Sequence, residues 1–163
     1  MIGWMDDWMK GMDGMERRMD EEVLERNRNL NRGFRKLLVW REAIDLYVFI
    51  KHTLNGLKGL SFKIRDQVLD SAFSILSNLP EGYCRKSIKE YIQFVNVALG
   101  SCGENYSQMY ALLKSKEISK EKFDEFDKRH YSIENKLINL AKSLSKKVKT
   151  AQDWNSDYKT RRL

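Results

Sequence analysis

The chain has 163 residues, of which 42% are hydrophobic and 33% are charged. This length and composition suffice for one domain with a packed core and exclude a wholly disordered chain. One proline and nine glycines favour long helices over many turns. No run reaches the roughly 18 apolar residues of a membrane span, and acidic residues interrupt the N-terminus where a secretory signal needs an apolar core. Two cysteines without a disulfide framework favour a reducing cytoplasm, and no spacing of His and Cys predicts a metal site.

The net charge of +7 is unevenly distributed. Residues 1–33 carry six basic and eight acidic side chains, whereas residues 34–145 have a net charge of +5 and residues 146–163 one of +4. A basic surface attracts polyanions, because each contacted phosphate releases condensed counterions. The charge balance therefore favours RNA or DNA as a partner, although many lysine-rich helical proteins bind neither.

Residues 1–33 form a Met/Trp-rich extension and linker. Six apolar residues recur there at spacings of four and three: Met1, Met5, Trp8, Met12, Met15 and Met19. Two interpretations are open: a loosely helical extension of little consequence, or an adaptable methionine-rich helix that docks on a partner. The polar, Asn-rich residues 25–33 are predicted to be the linker, and the acidic polar face of the extension disfavours membrane binding.

The remaining sequence predicts an all-α fold. The first core helix is predicted over residues 34–54, where two apolar stripes indicate a helix with two neighbours. Ser61 is the predicted N-cap of the second helix. Because proline removes a backbone donor and clashes with the preceding turn, Pro80 and Gly82 predict that the chain turns at residues 78–82.

The third helix carries the clearest pattern in the chain. Ser87 and Glu90 form an S-x-x-E capping box, in which the Ser side chain accepts from the backbone N–H three residues later and the Glu reaches back. Eight positions at spacings of four and three then form one apolar stripe: Ile88, Ile92, Val95, Leu99, Cys102, Tyr106, Met109 and Leu113. Gly100, Ser101 and Gly103 lie within this helical pattern. Each of the two glycines should lower helix stability by about 1 kcal/mol relative to alanine, which predicts that another backbone packs closely there.

A fourth helix, capped by Ser119, is predicted from a second stripe of this kind: Phe123, Phe126, His130, Ile133, Leu137, Leu140 and Leu144. His130 is therefore predicted to be a core or interface histidine. Four amphipathic helices with short connections predict an antiparallel, up-down four-helix bundle over residues 34–147, followed by a basic, flexible tail at residues 148–163.

The residues of the bundle resemble a known family. The matching positions are Phe34, Leu37, Trp40, Ala43, Gln67, Ser77, Asn78, Glu81, Gly82, Arg85, Ser87, Glu90, Phe94, Ala98, Gly100, Ser101 and Glu104. With a closing amphipathic helix, this pattern is similar to the bacterial four-helix-bundle proteins encoded by intervening sequences in large-subunit ribosomal RNA genes. Relatives of those proteins include the accessory variability determinants of diversity-generating retroelements. The similarity spans residues 34–145.

The resemblance implies a non-enzymatic bundle that assembles into a homopentameric ring around a central channel. Through the retroelement relatives it also implies an adaptor that binds a reverse transcriptase and nucleic acid. The Met/Trp-rich extension and the basic tail lie outside the family pattern, so both branches of the family stay open.

Eight basic residues are the candidate nucleic-acid-binding site: Arg35, Lys36, Arg41, Lys63, Arg65, Arg85, Lys86 and Lys89. The last three surround the start of the third helix, whose backbone amides favour phosphate. A solvated surface explains any single lysine better, whereas a ring that repeats the whole patch favours binding. Arg85 has a second interpretation, because it lies beside the predicted turn and can pair with Glu81 or Glu90.

A further group is predicted to be structural or to lie at a subunit interface: Asn78, Glu81, Gly82, Ser87, Glu90, Gly100, Ser101, Gly103 and Glu104. No nucleophile, phosphate-binding loop or metal-ligand spacing accompanies Glu81 and Glu104, so a catalytic carboxylate pair is not predicted. The leading hypothesis is an oligomeric, nucleic-acid-binding adaptor that needs no cofactor. The alternative is a structural interaction module that docks through its N-terminal Met/Trp helix without nucleic acid.

Overall fold

The computed structural model describes residues 21–26 and 32–149 and divides the chain into two units, residues 1–33 and residues 34–163. In the first unit, residues 21–26 are helical and exposed. The Met/Trp-rich stripe and most of the predicted tail lie outside the described residues, so the hypotheses about them stay predictions.

Four α-helices make up the described part of the second unit: α1 at Leu38–Asn55, α2 at Phe62–Tyr83, α3 at Ile88–Lys114 and α4 at Lys120–Lys149. α1 packs against α2 and α4, and α3 packs against the same two helices, so each helix has two neighbours in a helical bundle. The shared core is formed by fully buried side chains such as Leu46, Ile50, Ile75, Leu79, Val95, Met109, Phe126, Ile133 and Leu137. The all-α prediction is confirmed. None of the described helices is both long and apolar enough to cross a bilayer.

The first helix begins later than predicted. Gly33–Lys36 is a short 3₁₀ turn, Leu37 is extended (φ −69°, ψ 117°), and α1 starts at the next residue. The ring of Phe34 packs edge-on against Trp40, with centroids 5.2 Å apart, and against Tyr83 at 6.1 Å. Aromatic packing on α2 therefore fixes this turn, whereas the apolar spacing alone indicated a continuous helix.

The predicted turn at residues 78–82 is wrong, because α2 continues through Pro80 and ends three residues later. Proline removes the backbone donor that would bond to the carbonyl of Leu76. Burial beside the proline offsets this cost: Leu79 is completely buried, and Gly82 is buried against α3. Tertiary packing thus outweighs the local preference of proline, and the chain turns instead in the short connection between α2 and α3.

The junction of α2 and α3 depends on Gly82. A Cβ atom at this position would lie 2.6 Å from Cδ2 of Tyr91 and 2.7 Å from Cβ of Phe94, closer than real side chains approach. The predicted capping box then starts α3. The hydroxyl of Ser87 accepts from the N–H of Glu90 (3.2 Å), and the Glu90 carboxylate accepts from the N–H of Ser87 (3.1 Å).

The buried face of α3 differs from the predicted stripe. Cys102 is buried as predicted, but Tyr106 is 38% exposed and Asn105 is completely buried. The amide of Asn105 donates across to α2, to the carbonyl of Val68 (3.1 Å) and to the hydroxyl of Ser71 (2.9 Å). Apolar spacing misses such a residue, because the acceptors for its buried NH₂ group lie on another helix.

α4 has its predicted apolar face, with only Leu140 of the seven stripe positions less than fully buried. Ser119 caps the helix by accepting from the N–H of Lys122 (3.3 Å). His130 is 2% exposed, and its Nε2 lies 2.9 Å from the carbonyl of Cys102. Burial lowers the pKa of His130 below its ordinary value, so the neutral ring is a packed member of the core.

Candidate nucleic-acid interface

Basic side chains gather where α2 ends and α3 begins. The contact between Phe34 and Tyr83 places the exposed Arg35 and Lys36 beside the end of α2. Arg41, in the first turn of α1, is also exposed, and its guanidinium donates to the carbonyl of Lys36 (3.2 Å). Three of the predicted basic residues therefore occupy one surface.

Arg85 lies in the connection between α2 and α3. Its guanidinium pairs with Glu81, one turn earlier, and lies over the ring of Phe94, 4.6 Å from the centroid. Of the two predicted partners the structure has Glu81, because the carboxylate of Glu90 is hydrogen bonded to Ser87. Arg85 thus holds the turn, and its charge is partly neutralised.

Lys86 and Lys89 are exposed in this connection and in the first turn of α3. Within residues 32–149 no ion pair engages either ammonium group. The hydroxyl of Ser87 and the carboxylate of Glu90 already occupy backbone donors at this helix start. The two lysines, rather than unpaired amides, therefore supply the positive potential here. We call Arg35, Lys36, Arg41, Arg85, Lys86 and Lys89 the basic end.

Lys63 and Arg65 do not belong to the basic end. They lie in the first turn of α2, and about 20 helical residues separate them from Arg85, which corresponds to roughly 30 Å. The guanidinium of Arg65 donates to the carbonyl of Leu57 (3.2 Å) and lies over the ring of Phe62. The single basic face predicted from the sequence is therefore two separate sites at opposite ends of α2.

Glu81 and Glu104, the two carboxylates singled out in the sequence, do not act as a pair. Glu81 pairs with Arg85, whereas Glu104 accepts from the amide of Gln108 (3.0 Å) on the exposed face of α3. No cluster of His, Cys, Asp or Glu in the described ranges could hold a metal ion. Burial raises the pKa of Cys102 to about 12, so this thiol stays protonated and is a poor nucleophile.

The small residues of α3 lie against no other backbone of residues 32–149. A Cβ atom at Gly100 or Gly103 would have no neighbouring atom of this range within 4 Å, and both glycines are exposed. As a contact within residues 32–149, the predicted close approach is wrong. Ser101 faces inwards instead, with its hydroxyl 2.7 Å from that of Ser74 on α2. Val97, 51% exposed, extends the outward face by one turn.

Sequence reasoning placed the end of α4 two residues too early. Lys146, Lys147 and Lys149 are exposed and helical in its last turn, although the bundle was predicted to end at residue 147 and Lys149 was assigned to the tail. The missed signal is Val148, which follows Leu144 at a spacing of four and is partly buried against the core. These lysines are therefore part of the folded bundle.

Most of this bundle matches the model of a known protein family. The model for the 23S rRNA-intervening sequence protein family matches residues 35–139. The chain belongs to this family. All eight basic residues predicted from the sequence lie within the matched range, whereas the Met/Trp-rich extension and the lysines at the end of α4 lie outside it.

A solved structure has the same fold as this intervening-sequence family protein. It is the crystal structure of a protein of unknown function from the S23 ribosomal protein family of Bacteroides thetaiotaomicron, with a TM-score of 0.60 and 23% sequence identity. The similarity covers 64% of this chain and 99% of that one. No curated protein matches the chain. Neither description names a catalytic activity.

Proposed function

We propose that this member of the 23S rRNA-intervening sequence protein family is a non-enzymatic, oligomeric adaptor that binds RNA or DNA through its basic end. The observation that carries the proposal is the grouping of Arg35, Lys36, Lys86 and Lys89, four exposed cations from two separate stretches of the chain, beside the end of α2. Such a cluster binds phosphates without requiring a base sequence, because its affinity comes from counterion release.

An antiparallel, up-down order of the helices is part of this proposal, and it brings more lysines to the basic end. Lys122 and Arg129 of α4 lie over Phe49 in the second half of α1, at 5.4 and 5.0 Å from the ring centroid. Further along α4, Lys136 pairs with Glu42 in the first half of α1 (2.9 Å). These contacts support an α4 that runs towards the start of α1, so that its last-turn lysines approach the 3₁₀ turn.

The first experiment reverses the charge of exposed lysines at the basic end: Lys36→Glu, Lys86→Glu and Lys89→Glu. Arg85 is left intact because it holds the turn. A matched control makes the same change in charge at the connections and helix start of the other end: Lys58→Glu, Lys63→Glu and Lys116→Glu. We expect the first variant to lose retention of labelled RNA and single-stranded DNA at low salt, and the control to keep most of it. Equal losses in both variants would show that net charge alone causes the loss of retention and would contradict the proposal.

A homopentameric ring is the proposed assembly, because it would repeat the basic end five times. The exposed face formed by Val97, Gly100 and Gly103 supports a contact between copies. Each helical glycine costs about 1 kcal/mol relative to alanine, and no contact within residues 32–149 requires glycine at these positions. A neighbouring backbone that packs there would require it.

Light scattering tests the ring directly. We expect the mass of five 19.3-kDa chains, and a smaller mass for the variant that combines Gly100→Leu with Gly103→Leu. Ser143→Leu, at an exposed position of α4, is the control and should leave the mass unchanged. A monomeric mass for the unmodified chain would refute the ring.

The proposed protein partner is a reverse transcriptase, because the resemblance drawn from the sequence implies that relatives of the family include the accessory variability determinants of diversity-generating retroelements. A reverse transcriptase encoded beside the gene should then copurify with the full chain. The rival hypothesis is docking through the Met/Trp-rich extension without nucleic acid. Deletion of residues 1–33 separates the two, since it should abolish partner binding under the rival hypothesis and leave RNA retention intact under ours.

A further inference from the structure

A groove between α3 and α4 differs in chemistry from the basic end. It has a volume of about 310 Å³ and is lined by two residues of α3 and four of α4: Gly103, Tyr106, Asp127, His130, Tyr131 and Glu134. We call it the α3–α4 groove. Space is available at its α3 side, because a Cβ atom at Gly103 would meet no atom within 4 Å.

Carboxylates and aromatic rings dominate the lining of the α3–α4 groove. Tyr106 is 38% exposed and Tyr131 is 64% exposed, so part of an aromatic side chain is accessible on each helix. Asp127 and Glu134 contribute two negative charges, and neither has an ion pair within residues 32–149. The groove therefore lacks a cation of its own.

His130 adds a hydrogen-bond acceptor. Its Nε2 lies 2.9 Å from the carbonyl oxygen of Cys102, which can only accept, so the proton of the neutral ring is on Nε2. Burial lowers the pKa of His130 and keeps the ring neutral at physiological pH. Nδ1 is then the acceptor nitrogen of this ring, and no hydrogen bond to it is described within residues 32–149.

A groove that combines hydrogen-bond acceptors with aromatic rings favours one kind of side chain, that of arginine. A guanidinium group is a planar cation with five N–H donors; it stacks on aromatic rings and forms paired hydrogen bonds with carboxylates. A lysine ammonium would gain the charge interaction but not the planar stacking. Arginine is thus the side chain that the α3–α4 groove fits best.

We propose that the α3–α4 groove binds Arg161 or Arg162 of the C-terminal segment of the same chain. Residues 150–163 hold five charged side chains, of which Asp153 and Asp157 are acidic and the three that follow Asp157 are basic. The basic ones are Lys159, Arg161 and Arg162. Their charge is complementary to that of the groove, and the segment follows directly on α4, which supplies most of the groove.

The length of the chain permits this contact. Eighteen helical residues separate Tyr131 from Lys149, the last residue of α4, a distance of about 27 Å. Twelve residues lead from Lys149 to Arg161 and span up to about 40 Å when extended. Attachment to the same chain raises the effective concentration of the arginines to the millimolar range. The inference does not depend on nucleic-acid binding.

Disulfide trapping in the full chain tests the proposal. In a Cys84→Ser background, Thr160→Cys is combined with Ser107→Cys or with Asn139→Cys, so that every residue lining the groove is kept. Ser107 is an exposed position of α3 one turn after Gly103, and its hydroxyl donates to the carbonyl of Gly103. Asn139 is an exposed position of α4 that lies outside the groove and closer to the C-terminal segment. A segment without a binding site would reach Asn139→Cys sooner. We expect the pair with Ser107→Cys to form an intrachain disulfide at least about five times faster, because binding concentrates the segment in the groove.

Adding Asp127→Asn and Glu134→Gln should lower the rate of the pair with Ser107→Cys to that of the control pair. Equal rates for the two original pairs would overturn the proposal, as would a rate that does not respond to loss of the carboxylates. Disulfides that form only between chains, seen as dimers on non-reducing gels, would assign the contact to a neighbouring copy and also overturn it. All three readouts are obtained without RNA or DNA, so they are independent of the proposed function.

Discussion

Gly82 and Gly103 lie in helices of the same bundle, but the space around them differs. That space determines whether a larger residue can replace each glycine. At Gly82 the rings of Tyr91 and Phe94 leave no room for a Cβ atom, whereas at Gly103 the space is open. The same substitution should therefore have opposite effects at the two sites, since steric strain acts at one and helix propensity alone at the other.

The first prediction uses this contrast. Gly82→Ala should lower the free energy of unfolding by about 1–3 kcal/mol, because Tyr91 and Phe94 must move. In chains diluted until light scattering gives the mass of a monomer, Gly103→Ala should raise it by up to about 1 kcal/mol, the difference in helix propensity. Urea denaturation of both variants measures this, and a loss at Gly103 as large as that at Gly82 would show that the chain packs against Gly103 after all.

The second prediction concerns His130 and pH. Burial lowers the pKa of His130 in the folded protein below the ordinary value of 6.5, so on acidification the unfolded chain takes up a proton before the folded protein does. The stability linked to this ring is complete above pH 6.5 and is lost as the pH falls from 6.5 through the folded pKa. The nearby Asp127 and Glu134, and the hydrogen bond to Cys102, oppose burial but do not reverse the shift.

Urea midpoints measured between pH 7 and about pH 5 should therefore fall, and His130→Gln should reduce that fall. His52→Gln, at an exposed position of α1, is the matched control and should keep the pH dependence of the unmodified chain. If His130→Gln leaves the pH dependence unchanged, the proton uptake of unfolding belongs to other groups.

At the scale of helices, the sequence was most informative where local chemistry decides the structure. The Ser87 capping box and the α4 stripe follow from spacing alone, and both form as predicted. Contacts between helices determine the features that spacing did not predict. The packing of Phe34 on α2 shortens α1, and the burial of Asn105 replaces an expected apolar position. Likewise, the sequence identified eight basic residues as candidates, but only the length of α2 shows that Lys63 and Arg65 are far from the six residues of the basic end.

The third prediction concerns Pro80, which lies inside α2 because its neighbours are buried rather than because it favours a helix. Pro80→Ala restores a donor for the carbonyl of Leu76 and should raise the free energy of unfolding by about 1–3 kcal/mol. Leu79→Ala, at the adjacent and fully buried position, should lower it by about 2–5 kcal/mol. Destabilisation by Pro80→Ala in the same urea titrations would mean that the bundle requires a proline-specific bend.

At the scale of the whole molecule, charge separates the surfaces of the bundle. The basic end contains exposed cations from the 3₁₀ turn and from the α2–α3 connection, whereas the α3–α4 groove carries two carboxylates that have no ion pair within residues 32–149. Under the two proposals, polyanions and arginines bind at different places on one small protein. In a ring the basic end would be repeated in each copy, which would turn a weak cluster into a multivalent site.

The measurement that tests the central claim most directly is the salt dependence of RNA binding. For the unmodified chain, log Kd plotted against log salt concentration should have a steep slope, because each phosphate contact releases counterions. The slope should decrease by about one for each contacting lysine reversed among Lys36, Lys86 and Lys89, and it should be unchanged for the control reversed at Lys58, Lys63 and Lys116. A flat slope for the unmodified chain, or the same decrease in both variants, would contradict the account.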